Sequence, residues 1–234
     1  MNKISVIIPV FNEAKNIEAL LGYLNQNSTQ KLISEIIVVD GGSTDGSQKI
    51  VSEFSVKHPI VKGLDSQKGR AKQMNFGAAQ ANGHILYFLH ADSFPPKNFD
   101  QSIIEAIREG ATSGCFKMKF DSNHWWLQLA GWFTQFNWKV SRGGDQSLFV
   151  EKNIFEHLKG YNEDFIIYED NELIYRLYKQ GMFKVIQRSL TTSARRFESN
   201  GIWSLQFHFM VIHLRKFFGA PPKKLEAYYI KHIH

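Results

Sequence analysis

Acids, arginines and glycines gather in five short stretches that suit ligand binding or catalysis. In VVDGGSTDGSQKI (38–50) an apolar run stops on Asp40 and passes at once into Gly41 and Gly42, where no side chain fills the space. Either Asp40 is satisfied by local backbone amides in a tight turn feeding a helix, or its carboxylate is open to a ligand. In YFLHADSFPP, Asp92 follows another apolar run. It either caps a helix beginning near Pro96 or holds a hard divalent ion against phosphate oxygens, since magnesium favours one or two carboxylates plus substrate phosphates. His90, two residues earlier, reads as a second ligand, a donor to phosphate, or a half-buried ring. In FIIYEDNELIYRL, Glu169 and Asp170 open a helix, as capping acids or as the source of a general base; Asp170 is the better candidate because Tyr168 and Glu169 can orient it. In KGRAKQMNFGAA, Arg70 beside Gly69 suits an anion or one of the aspartates. In TSARRFE, Arg196 suits a diphosphate clamp and Arg195 reads as surface.

Hydrophobic periodicity supplies the strands and helices that carry these groups. ISVIIPV (4–10), EIIVVD, a segment at 60–64 and HILYFLHAD (84–92) read as strands. They alternate with helices patterned around Ile17, Leu20, Leu21 and Leu24, then Ile50, Val51 and Phe54, then residues 68–81. Continuous apolar strands alternating with amphipathic helices imply a parallel sheet covered on both faces, and ligands of such sheets sit beyond the carboxyl ends of the strands. Asn12 and Glu13, Asp40 and Asp92 all fall at those ends. A rim lined with carboxylates and glycines favours a ligand with hydrogen-bond donors or a metal over ordinary polar turns. The second half reads less regularly: a helix at 99–109, a strand ATSGCFKMKF, the aromatic segment HWWLQLAGWFTQFNW, the turn SRGGDQ, the segment LFVEKNIFEHLKGY, a helix at 170–180 and a strand at 183–186.

Bulk properties narrow the partners. With 234 residues and 43% hydrophobic residues the chain can bury a substantial core in one domain plus a short appendage. The single cysteine, Cys115, excludes an intramolecular disulfide and cysteine-based metal clusters, which fits a reducing compartment. No stretch approaches the ~20 apolar residues of a spanning helix, and MNKISVIIPVF reads as a first strand rather than a leader. The net charge of +6 is concentrated near the end of the sequence, where Arg215, Lys216, Lys223, Lys224 and Lys231 face Glu226 alone. Such a patch suits nucleic acid, anionic membrane or phosphorylated small molecules equally. In the preceding stretch Trp203, Phe207, Met210, Val211, Leu214, Phe217 and Phe218 share one helical face, which either packs on the domain or lies in a membrane interface.

Together IIPVFNE, EIIVVDGGSTDGS, KGRAKQMNFGAA, YFLHAD and YED, in that order over residues 4–200, resemble the signature of family 2 glycosyltransferases. The HADS, GGDQ and SARRF elements resemble a small bacterial subgroup of that family. The resemblance implies an α/β fold of GT-A type: a mostly parallel central sheet with helices on both faces over residues 1–200, and an amphipathic helical extension at 201–234. It implies that Pro9, Asn12 and Glu13 line a nucleoside pocket, that Asp40 accepts from the base of a uridine-like nucleotide with Ser43 near it, and that Arg70 and His90 lie on the nucleotide side. It also implies Arg196 at the diphosphate, Asp92 on a divalent metal (Mg2+ or Mn2+), Asp170 as the catalytic base with Glu169 beside it, and Gly144 and Asp145 at the acceptor or donor sugar. The implied reaction is inverting transfer from a UDP-linked sugar to an acceptor hydroxyl. Lipid-linked acceptors and peripheral membrane contact, in the cytoplasm at the inner membrane face, are among the expectations, and nucleic acid is not.

Two departures stand out. The family's acidic pair flanking one residue is replaced by His90, Ala91 and Asp92, and its Gln-x-x-Arg-Trp element has only the partial counterpart Ser193 to Phe197, which speaks against processive synthesis. The competing functions are a nucleotide-sugar-binding protein without catalysis, made conceivable by His90, and a sugar nucleotidyltransferase, which would carry a Gly-rich phosphate loop that FNEAKN is not. A dinucleotide-dependent oxidoreductase is disfavoured because no G-x-G-x-x-G follows the first strand.

Overall fold

Residues 3–29, 31–143 and 146–233 are described in a computed structural model of the chain. The alternating pattern of the first half becomes β1 (Ile4–Val10), α1 (Ala14–Asn27), β2 (Ile33–Asp40), α2 (Ser47–Lys57), β3 (Val61–Asp65), α3 (Arg70–Gln80) and β4 (Ile85–Phe88). The second half adds β5 (Ser93–Phe94), α4 (Phe99–Arg108), β6 (Ser113–Phe120), α5 (Trp125–Phe133), β7 (Leu148–Glu151), α6 (Lys152–His157), α7 (Glu169–Gln180) and β8 (Phe183–Thr192), then α8 (Arg195–Asn200), α9 (Ile202–Phe217) and α10 (Pro222–His232).

These strands form one eight-stranded sheet in the order β3-β2-β1-β4-β7-β6-β8-β5. The β3/β2, β2/β1, β1/β4 and β6/β8 pairings are parallel; β7 lies antiparallel to both β4 and β6, and β5 antiparallel to β8. The sheet is therefore mixed, and three of its four parallel pairings lie where β-α alternation was legible. The reversal at β7 leaves no mark in an apolar run, which reads alike in both directions.

Because β1 and β2 are covered on both faces, nearly all their residues are buried. Val6, Ile8, Ile36 and Val38 meet α1 through Leu20 and Leu24, α2 through Val51, and α4 through Phe99 and Ile103. On the opposite face Ile7, Ile37 and Val39 meet α3 through Met74 and Ala78, α6 through Phe155, and α7 through Leu173 and Leu177. A third cluster joins Leu127 of α5 and Phe197 of α8 to Leu205 and Ile212 of α9 and Leu225 of α10, so the terminal helices pack on the body.

Two boundaries differ from the sequence reading in ways that matter. β4 ends at Phe88, and the amide of Ser93 bonds back to the His90 carbonyl, so His90–Asp92 form a turn between β4 and β5. α4 starts only at Phe99, after Asn98; Asp92 is too far away to cap it. β8 runs on to Thr192 instead of stopping at 186, because its second half pairs with β6 from Lys117 to Phe120 and with β5. That extension carries Arg195 and Arg196 to the carboxyl rim.

Candidate active site

The loops leaving β1 and β2 are stitched into one unit. The Asn12 amide donates to Ser43 Oγ at 2.8 Å and the Thr44 amide donates to Asn12 Oδ1 at 2.8 Å. The Glu13 amide donates to Ser47 Oγ and the Ala14 amide to Asp45 Oδ2, both at 2.9 Å. Asn12 takes the left-handed conformation (φ 57°) that lets β1 turn into α1 this tightly. Asp40 resolves both of its alternatives. Its Oδ1 accepts from the amides of Gly42 and Ser43 and from Gln48 Nε2 at 2.7–2.9 Å, which is the local turn. Its Oδ2 is buried without a hydrogen-bond partner, an arrangement that costs stability unless a ligand satisfies it. Burial opposes the Asp40 charge, but the donors from Ser43, Gln48 and Gly42 outweigh it and hold the carboxyl below its usual range. A Cβ at Gly41 would lie 3.0 Å from the end of the Gln73 side chain, a tight contact that Gln73 would have to give way to. The Gln73 amide in turn donates to the carbonyls of Val10 and Val39, at 2.8 Å each.

Around the corner of the rim, Pro9, Glu13, Arg70, His90, Asp92, Arg195 and Arg196 line a cavity of about 1160 Å³. Arg195 Nη2 bridges Glu13 Oε1 at 3.1 Å and Asp92 Oδ2 at 3.7 Å. The segment carrying it is held by Asp121, whose Oδ1 accepts the Ala194 amide at 2.6 Å. Arg195, read as surface, is exposed, and it faces two rim carboxylates at the same time, a placement visible in sequence only as proximity to Arg196. Lys68, 3.9 Å above the Phe11 ring, was also passed over and lines the same cavity. Asn12 and Ser43 are not among its lining residues, and Asp40 lines a separate cleft of about 280 Å³ with Gln48 and Asp65. The rim residues thus divide between two neighbouring hollows.

A further cavity, of about 950 Å³, contains Glu169 and Asp170 and is walled on one side by α9. Arg70 and Arg196 line both large cavities. Arg70 Nε lies 3.3 Å from Glu169 Oε1 and its Nη1 3.6 Å from Asp170 Oδ2, placing the arginine on the acidic pair rather than clear of it. The capping position of α7 is Tyr168, held at φ 74°, a strained conformation for a bulky side chain, and the two acids follow it in the first turn. Glu169 is 1% exposed and Asp170 7%. Burial pushes the Glu169 carboxyl up, Arg70 pulls it down and Asp170 raises it again, for a net rise to about 7. His90, which lines the larger cavity, also favours the charged form of Glu169. Arg196 stacks over Phe209 and Tyr229, 5.9 and 5.3 Å from the ring centroids. Gly144 and Asp145 lie outside the described residues; Gly143, just before them, lines the cavity of Asp170.

A buried acidic pair next to an arginine, with a half-buried carboxylate facing a second arginine in the adjoining cavity, is an arrangement suited to polar group transfer with an anionic leaving group. Comparisons with known proteins agree. The chain is 29% identical over 197 residues to the succinoglycan biosynthesis protein ExoA of Rhizobium meliloti, covering 75% of this chain and 58% of that one. It is 36% identical over 110 residues to a dolichol-phosphate mannosyltransferase of Pyrococcus furiosus, covering 47% and 31%. The chain therefore spans between about a third and three fifths of the length of these curated relatives. A mannosyltransferase from Pyrobaculum calidifontis, solved with GDP-Man and Mn2+, superimposes with a TM-score of 0.71 at 19% identity over 97% of this chain and 69% of that one, which establishes the GT-A fold. The family model described as glycosyl transferase family 2 matches residues 5–186, and the chain belongs to that family.

Proposed function

We propose that the chain transfers one sugar from a UDP-linked donor to an acceptor hydroxyl with inversion at the anomeric carbon. The observation that carries this reading is the pairing of Asp170 with Arg70, which reaches from the cavity of Asp92 to the cavity of the acidic pair. The acceptor oxygen forms a bond to the anomeric carbon as the bond from that carbon to the diphosphate breaks. Asp170 takes the hydroxyl proton, and the nucleoside diphosphate leaves with both electrons of the broken bond. Arg196 and Arg195 lie where they can favour charge developing on that leaving group. Glu169 holds Arg70 and, in its protonated form, spares Asp170 a second negative neighbour.

The unpaired Oδ2 of Asp40 supports a nucleobase that brings an N–H donor. Uracil is the base we assign, with guanine as the competitor because the Pyrobaculum neighbour holds GDP-Man. The donor set fits a divalent ion only as a partial holder. Among the described residues there is no cluster of three His, Cys, Asp or Glu side chains, so Asp92, with His90 beside it, would hold Mg2+ or Mn2+ whose other positions go to phosphate oxygens and water. When bound, the ion supplies charge neutralisation for the diphosphate. A lipid-linked acceptor is supported by the relative named for dolichol phosphate.

Release of free nucleoside diphosphate on mixing donor and acceptor tests the reading. Transfer by the wild type and none by Asp170→Asn is the expected pattern. Full turnover in that variant would remove the base.

A further inference from the structure

We propose that an exposed apolar stripe running along α5 and α9 docks on the surface of an anionic phospholipid bilayer. On α9, Trp203, Phe207, Met210, Leu214 and Phe217 recur at helical spacing, opposite Leu205 and Ile212, which are buried in the third core cluster. Each of the five is at least 48% exposed, and Phe217 and Phe218 stand out at 82% and 80%. On α5, Trp125, Leu129 and Trp132 fall at i, i+4 and i+7, exposed opposite the buried Leu127 and Gly131. The two stripes join where the Trp125 and Trp203 rings approach to 5.9 Å. The aromatic segment of α5 and the terminal helix, separate puzzles in sequence, are one surface.

The composition and surroundings of this surface select its occupant. Tryptophan with phenylalanine on a helix face, bordered by cations, suits the headgroup boundary of a bilayer. Arg215 and Lys216 close α9 beside the stripe, and Lys223, Lys224 and Lys231 follow on α10 against Glu226 alone. That charge complements anionic lipid and is ill suited to a second copy of the same basic chain. Among the described residues no helix is long and apolar enough to cross a membrane, so the contact is with the surface. Met210, Leu214 and Phe217 also wall the cavity that holds Asp170. Docking would turn the mouth of that cavity toward lipid, a consequence that rests on the transferase reading above, whereas the docking itself does not.

Flotation of the full chain tests the proposal, with vesicles of phosphatidylcholine alone and of phosphatidylcholine mixed with phosphatidylglycerol. The wild type should float with the mixed vesicles, about ten-fold more than with the neutral ones, and high salt should reduce that binding. The double variant Phe207→Ser/Phe218→Ser should lose about ten-fold in partitioning while keeping its melting temperature and its affinity for uridine diphosphate. Failure of the wild type to float, or equal flotation of wild type and variant, overturns the proposal. So does a wild-type dimer that the double variant abolishes, which would assign the stripe to a second copy. Should the variant not fold, the salt and headgroup dependence of the wild type decides. Flotation without nucleotide binding would sink the transferase reading alone, and nucleotide binding without flotation would sink the docking alone.

Discussion

Asp170 and Glu169 are adjacent acids with different tasks, and their surroundings separate them. Asp170→Asn keeps the volume and the α7 start but removes the proton acceptor, so transfer should fall at least about a hundred-fold while the shift in melting temperature produced by uridine diphosphate stays unchanged; both are read from one preparation. Glu169 makes a pH prediction. Its folded-state value of about 7 lies above the ordinary 4.5, so the folded chain binds a proton that the unfolded chain has shed. The stabilisation is fully present below pH 4.5 and is lost as pH rises through about 7. Urea unfolding across that window should show the wild type losing roughly 3 kcal/mol relative to Glu169→Gln, whose side chain does not titrate. Parallel pH profiles for the two proteins would contradict the buried-acid account. The positions of Asp40, Asp92 and Asp170 at or just past strand and helix ends were legible in the sequence. The ion pairs of Arg195 were not, because a guanidinium's partners are set by where β8 ends, a distance of many residues in chain and few ångströms in space.

At the scale of elements, the sheet's two rims behave differently. Opposite the site, Glu35 of β2 accepts from Ser5 Oγ at 2.7 Å, from the Asn82 amide at 2.6 Å and side chain at 2.9 Å, and from Lys62 Nζ at 2.6 Å, tying β1, β2, β3 and the loop before β4 together. Burial opposes the Glu35 charge, but Lys62, Asn82 and Ser5 hold its carboxyl down at about 2. Glu35→Ala should lower unfolding stability by about 3 kcal/mol at neutral pH and leave the activity of the folded fraction unchanged. For this depressed group the sign is the reverse of that for Glu169: its stabilisation is present above pH 4.5 and fades as pH falls through about 2. A variant as stable as wild type at pH 7 would show the network to be idle. The parallel half of the sheet was legible because each β-α unit repeats the same apolar pattern. The antiparallel β7 and the long β8 were not, since strand direction and length there depend on neighbours distant in sequence.

For the whole molecule, the acids read from the motifs are spread over three hollows: the small cleft of Asp40, the larger cavity of Asp92 and Arg195, and the cavity of Asp170. Arg70 lines the latter two. The motifs predicted that these groups share the carboxyl ends of the strands. They did not predict the separate cavities of Asp92 and Asp170, because α9 and α10 supply walls that only packing of the third core cluster puts in place. The most direct check is a crystal structure of the chain with uridine diphosphate and Mn2+. The account predicts the base against Asp40 and the diphosphate and ion between Asp92, Arg195 and Arg196, with Asp170 across Arg70 facing the site of transfer. A nucleotide bound away from this rim, or a rim left empty at saturating nucleotide, would contradict it.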